Sequence, residues 1–480
     1  MVIYVERREK MRKCMSKYII LMLFICFIFM GILFGINDYS ISFFMPIAPL
    51  IYMMCLCIVY MKRFNAFSSI VVLTIFATSF LRMVLIPTIY VMSGYVSIIN
   101  TSAGTQYLNE AVFLVCFEMI CTTLFILSSK KLKVINWNKS IDNLDSNVKI
   151  KNQVKIILFC LLFLGVVCVW MDKSVLVIIS TIFDRFSATA EMNIARRQAY
   201  LSARKNSSIL FNLFQQIVFY LQILLPAYFI SYTTNKRDTI DSNRGFILSL
   251  IITALSVVFI TDNNADSVCI MLACMMVLYI AYNKRMLKFF PIIIVSVVVF
   301  ILLFLFSKVG INIEEGIKLD ELSTVLCAYF ATFPNVSCGF AVQYHDKLAT
   351  FWGDIVSGVP YMIALFRGFP QSVMLYNDVV HGYTGLTNQI MPLIAYGYQY
   401  LGVFAPTFTL IVYNLALKLE VKFRNTNKTF NRVLYALMFI NLSIGPCIWG
   451  FPSIIKRLCY YLPLLILAKM NCNQDMRYYK

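Results

Sequence analysis

The chain has two histidines, His345 and His381. His345 stands in QYHDK beside Asp346, and His381 in NDVVHGYTG with Asp378 three residues before it. Histidine titrates near neutrality and can take a proton from a reacting hydroxyl. His381 directly precedes an apolar span and is the favoured base, with His345 in reserve. Further upstream the stretch ARRQAYLSARKNSS, residues 195–208, carries Arg196, Arg197, Arg204 and Lys205. If it is helical, Asn193, Arg197, Tyr200 and Arg204 share one face, a basic stripe with one aromatic ring. Guanidinium groups make planar, permanently charged contacts to phosphate oxygens, and Arg367 in ALFRGFP can join them. These residue types together suit proton removal beside a phosphorylated substrate. Their plainer uses are hydrogen-bonding surface histidines and an amphipathic helix touching anionic lipid headgroups.

The elements that must position them are membrane spans. The 480 residues are 60% apolar and 15% aromatic, with mean hydropathy +0.76, more apolar surface than a soluble fold can hide. In lipid only helices and closed barrels satisfy the backbone, and the apolar runs are continuous rather than alternating, so the fold class is all-α and polytopic. We count about twelve spans of the length a bilayer requires, at 18–36, 41–61, 67–93, 109–129, 154–171, 209–232, 246–261, 267–283, 289–307, 389–417, 433–450 and 453–470. The third, tenth and twelfth are the least regular. No linker or repeat divides residues 1–480, which read as a single membrane domain. The basic segment before residue 18 precedes a core too long for a cleaved signal peptide, so it is expected to remain as a first span.

Net charge is +19. The positive-inside rule alone produces such a balance, and no nucleic-acid partner is expected. With the N-terminus inside, MKR at 61–63, KKLK at 130–133, NKR at 235–237 and 283–285, and KLEVKFR at 418–424 all fall inside. Of 42 lysines and arginines, 29 lie inside, 12 outside and Arg82 within a span. Both termini are then cytoplasmic, in a multi-pass protein of the cell membrane. Two extracytoplasmic loops hold most of the outside cations: a basic one at 172–208 and a large one at 307–388. The second is rich in aromatic and turn residues, with short apolar pieces expected to dip back as re-entrant or surface helices. Ring faces with amide, carboxylate and hydroxyl neighbours are what a sugar site uses.

Arg82, in TSFLRMVLIP, is costly within a span and needs a partner. Glu118, in CFEMI on the neighbouring span, is the expected one, as a structural pair or in a site facing the substrate. The fifteen cysteines sit mostly within apolar runs without metal-ligand spacing and read as small apolar residues. Asp262 and Asp266 form an acidic turn without a phosphate-metal spacing. No metal and no cofactor are expected.

This arrangement resembles the Wzy-type O-antigen and capsular polysaccharide repeat-unit polymerases: about twelve spans, a basic outer loop, then one very long outer loop late in the chain. The stretch from His381 through NQIMPLIAYGYQYLGVFAP is similar to the histidine, amide and glycine-rich span entry of these polymerases and of the related O-antigen ligases. Where members often carry an arginine between the seventh and eighth spans, this chain has TDNNADS. The resemblance implies transfer of a glycan from undecaprenyl pyrophosphate onto the next lipid-linked repeat unit at the outer leaflet, without metal. It also implies a lipid-linked oligosaccharide substrate within membrane lipid, with a chain-length regulator and a flippase as partners. In that setting His381 or His345 is the base, and Arg196, Arg197, Arg204, Arg367, Tyr200 and Asp378 hold the substrate. A lipid-linked oligosaccharide flippase and an O-antigen ligase-like glycosyltransferase are the alternatives.

Overall fold

A computed structural model describes residues 2–97, 99, 101–134, 152–178, 180–181, 208–235, 242–260, 264–282, 319–360, 362, 368–382 and 389–472. The protein is a polytopic helical membrane protein. Eight described helices are long and apolar enough to cross a bilayer, or up to ten if each of two bent pairs is one span. The expected span at 289–307 lies outside the described residues. Those expected at 246–261 and 267–283 fall on the helices Ser242–Val258 and Asn264–Ala281. The expected span at 389–417 is corrected: Leu393–Phe404 and Pro406–Asn425 meet at 114°. The bend brings Gly397 against Ala405, whose carbonyl oxygen would lie 2.5 Å from any added Cβ. The chain falls into two compact units.

The first unit comprises residues 1–133, 312–414 and 443–457. Its span α1 (Ser16–Ile36) turns through residues 37–46 into α2 (Ile47–Arg63). Next comes α3 (Ile70–Met92), begun by the Ser69 hydroxyl accepting the Val72 N–H, a helix cap. Within α3 the turn Leu81–Leu85 is a π-helix. Pro87 has no N–H to give the carbonyl four residues back, and a widened turn just before it relieves the ladder. After α4 (Thr101–Gln106), the span α5 (Leu108–Ser128) is closed by Arg63, whose guanidinium donates to the carbonyls of Ile126, Leu127 and Ser129 at 2.5 Å. These are orphan helix-end acceptors. Arg63, Lys62, Lys130 and Lys131 thus mark one face of the unit. The opposite face is tied together by Tyr95, whose hydroxyl bonds Asn37 at 2.9 Å, and by Asn109, which accepts from Ser42 and Phe43.

Into this opposite face enters a broken pair, α6 (Leu319–Tyr329) and α7 (Phe333–Ala341), bent by 60°. Both limbs are fastened to the same connection, that between α3 and α5. Ser323 donates to the Val96 carbonyl at 2.6 Å, and Ser337 donates to the Ala103 carbonyl at 3.1 Å. Between the limbs, Ala331 reaches Arg82, which lies about 16 Å down α3 from Ser93 at 1.5 Å per residue. The pair therefore reaches about the middle of a 30 Å hydrocarbon layer and turns there by 60°, as a broken span or a re-entrant loop does; re-entrant pieces are what the sequence led us to expect within 307–388. Close packing holds the second limb, since a Cβ on Gly339 would lie 2.5 Å from that of Ala395.

The second unit holds residues 134–311, 415–442 and 458–480. Its described helices include Asn152–Met171, Ser208–Asn235, Ser242–Val258 and Asn264–Ala281. Phe211, Phe214 and Ile217 pack on Cys168 and Val175, while Phe159 and Trp170, 71% and 84% exposed, point away as lipid-facing side chains do. A two-residue antiparallel ribbon pairs Ser180–Thr181 with Phe259–Ile260. Asp266, in the expected acidic turn, accepts from Asn441 at 3.0 Å.

Single cysteines replacing Ser102, Asp320 and Gln343 in a cysteine-depleted chain are expected to react with a membrane-impermeant thiol reagent from one side, and a cysteine replacing Lys62 from the other. Labelling of residues 320 and 343 from opposite sides would instead make α6 and α7 a crossing.

Candidate functional site

The hairpin tip meets an intramembrane ion pair. Arg82 Nη1 donates to Glu118 Oε2 at 2.6 Å, and both side chains are almost fully buried. Glu118 stands ten residues from either end of α5, at the depth where an unpaired charge is most costly. Arg82 Nε donates to the Ala331 carbonyl at 2.5 Å, and the Ala331 N–H donates to the Cys447 carbonyl at 2.8 Å. Glu118 Oε1 accepts from the Thr409 hydroxyl, just past the 114° bend. The pair anticipated from the two lone charges thus forms, and it also ties together two helix breaks. Arg82 Nη2 has no hydrogen-bond partner among the described residues. It borders a cavity of about 10 Å³ lined by Ser79, Thr122, Tyr413 and Cys447 among others, room for one water.

The long connection beyond the hairpin carries the titratable groups. His345 is exposed. The next residue, Asp346, caps helix α8 (Lys347–Gly358) by accepting the N–H groups of Leu348 and Ala349 at 2.9 Å. One face of α8 buries Thr350, Gly353 and Asp354. Asp354, with no exposed surface, reaches the start of helix α9 (Ser372–His381). Its Oδ1 accepts the Ser372 N–H at 2.9 Å, and its Oδ2 faces the Ser372 hydroxyl at 2.5 Å and the Tyr400 hydroxyl at 2.7 Å. Burial pushes the Asp354 carboxyl above the usual carboxylate range, against the pull of these hydrogen bonds.

Helix α9 ends with the two other candidates. Asp378 and His381, three residues apart and half-buried, share a face. Gly382 closes the helix in the left-handed region at φ 63°, its N–H returning to the Asp378 carbonyl, a conformation that favours glycine. The structure places His345 and His381 on separate elements of one unit, the first before α8 and the second at the end of α9. Arg196, Arg197, Tyr200, Arg204 and Arg367 lie outside the described residues.

Two groups were not singled out from the sequence. Asp354, in FWGDIVSG, resembles any helix acid until its partners, 18 and 46 residues away, are known. Arg457, counted only among the outside cations, is buried with its guanidinium 3.4 Å from the Trp449 ring centroid, a cation–π contact. Separately, Phe351 stacks on Phe451 at 5.8 Å and meets Tyr400 at 5.0 Å, which joins α8 to the helix Leu393–Leu401.

Removing one partner of a buried ion pair leaves an uncompensated charge and costs about 3–5 kcal/mol, while replacing both with apolar groups costs far less. Glu118→Ala is therefore expected to lower unfolding stability in detergent by that amount, and the Arg82→Met/Glu118→Met pair by much less. A single variant as stable as the parent would remove the pair from its structural role.

Comparison with family models, with curated proteins and with solved structures gave no match.

Proposed function

We propose that the protein polymerises oligosaccharide repeat units carried on a lipid pyrophosphate, at the outer leaflet of the cell membrane. One observation carries the reading. Both histidines of the chain lie on the connection that follows the broken pair α6–α7, which enters from the face opposite the Lys62, Arg63, Lys130 and Lys131 cluster and which we read as re-entrant. Such clusters stay cytoplasmic, so a base on that connection acts outside, where lipid-linked glycan is elongated.

In the proposed reaction a hydroxyl of the acceptor sugar attacks the anomeric carbon of the lipid-linked chain. The new C–O bond forms as the bond from that carbon to the pyrophosphate oxygen breaks. The hydroxyl proton passes to His381, with His345 in reserve, and the lipid pyrophosphate leaves with its charge held by Arg196, Arg197, Arg204 and Arg367. Tyr200 and Asp378 contact the sugar. Charge stabilisation by fixed cations and proton removal by a placed base are the two demands of this chemistry.

Transport of the lipid-linked unit is the second reading, and the Arg82–Glu118 pair beside broken helices favours it, since transporter sites are built at such breaks. Two results separate the readings. A strain lacking the protein is expected to display single repeat units outside with no long polymer; units stranded on the cytoplasmic leaflet would establish transport instead. His381→Ala is expected to cut polymer formation by about 10²–10⁴, the worth of a general base. Replacing Arg196, Arg197 and Arg204 together by glutamine is expected to shorten or abolish polymer, and unchanged polymer length and amount would exclude them from the reaction.

A further inference from the structure

Asp354 makes no ion pair with any described residue. Among the described residues the titratable groups facing it are tyrosines: Tyr344 from the stretch before α8, and Tyr396 and Tyr400 from the helix Leu393–Leu401. Three short oxygen–oxygen contacts form a closed triangle. Asp354 Oδ2 lies 2.5 Å from the Ser372 hydroxyl and 2.7 Å from the Tyr400 hydroxyl, and those two hydroxyl oxygens are 2.8 Å apart. Each such contact needs one proton. Ser372 and Tyr400 bring one each. With Asp354 ionised, both protons point to the carboxylate, and the Ser372–Tyr400 contact sets lone pair against lone pair.

We propose that Asp354 is held as the neutral carboxylic acid, and that its proton closes a hydrogen-bond ring with Ser372 and Tyr400 that fixes the start of the helix ending in Asp378 and His381. In this ring the Asp354 acid O–H donates to Tyr400, Tyr400 donates to Ser372, and Ser372 donates back to Asp354 Oδ2. Oδ1 still accepts the Ser372 N–H at 2.9 Å. The start of a helix favours a negative charge, but by only a fraction of what desolvating a carboxylate costs, and among the described residues no cation pairs with the side chain to repay it. Burial acts in the same direction on its proton affinity.

Asp354 is then a positioning residue. It touches no substrate; it sets the register of α9 relative to α8 and so the place of His381. That consequence rests on the polymerase reading, while the protonation itself does not.

The test is infrared difference spectroscopy on the purified full chain at neutral pH, parent against Asp354→Asn, in light and heavy water. The parent is expected to show the carbonyl stretch of a protonated carboxylic acid, shifted in heavy water and missing from the variant. A carboxylate band in its place overturns the proposal. Polymer formation gives the second readout. Asp354→Asn, neutral and able to donate, is expected to retain most of it, and Asp354→Ala to lose about a hundredfold, the scale of a misplaced reacting group. An Asp354→Asn chain as defective or as aggregated in detergent as Asp354→Ala overturns the positioning role. If the acid band is present but a strain lacking the protein still makes long polymer, the polymerase reading fails and the neutral Asp354 stands.

Discussion

A carbonyl in the middle of a bilayer has no water to bond, and the first unit is organised around one such group. At the hairpin tip the backbone leaves helical geometry between Tyr329 and Phe333, where lipid would leave its polar atoms unsatisfied. Arg82 supplies a donor to Ala331, Cys447 supplies an acceptor, and Glu118 neutralises the guanidinium that makes this possible. The same carboxylate receives Thr409 beside the second bend. One buried charge pair therefore permits two departures from straight helices.

What the sequence made legible follows the same physics. Helical spans announce themselves because lipid demands about twenty consecutive apolar residues, and the ends of α1, α3 and α5 fall within a few residues of their expected positions. The Arg82–Glu118 pair was readable because lone charges in neighbouring spans have few other partners. The bend at Ala405 was not, because hydropathy is blind to direction: LIAYGYQYLGVFAPTFTL is equally apolar straight or folded. Its signal lay in steric detail, a glycine at 397 where Ala405 passes. Asp354 was hidden for a different reason. Its partners are two hydroxyls and an amide, groups so common that no spacing points to them.

The two halves of the first unit divide their labour by environment. Within the membrane, the first unit pairs Arg82 with Glu118, with room beside them for one water. Beyond it, the connection that holds His345 and His381 builds a small core of its own, in which Tyr376 and Tyr396 are fully enclosed and rings from α8 meet those of Tyr400 and Phe451. A rigid aromatic layer of this kind suits a surface on which charged and hydroxylic groups must be displayed in fixed relation.

The hairpin also constrains the order in which the chain is assembled. Its limbs, of 11 and 9 residues, are each too short to be retained in a bilayer by hydrophobicity alone. At their junction the Ala331 carbonyl is held by the Arg82 guanidinium, 249 residues earlier in the chain. At a synthesis rate of about 5–20 residues per second, that separation amounts to about 12–50 s. The socket is thus made and charged well before the plug leaves the ribosome. During that interval Arg82 and Glu118 have each other, which keeps α3 and α5 in the membrane until Ala331 arrives.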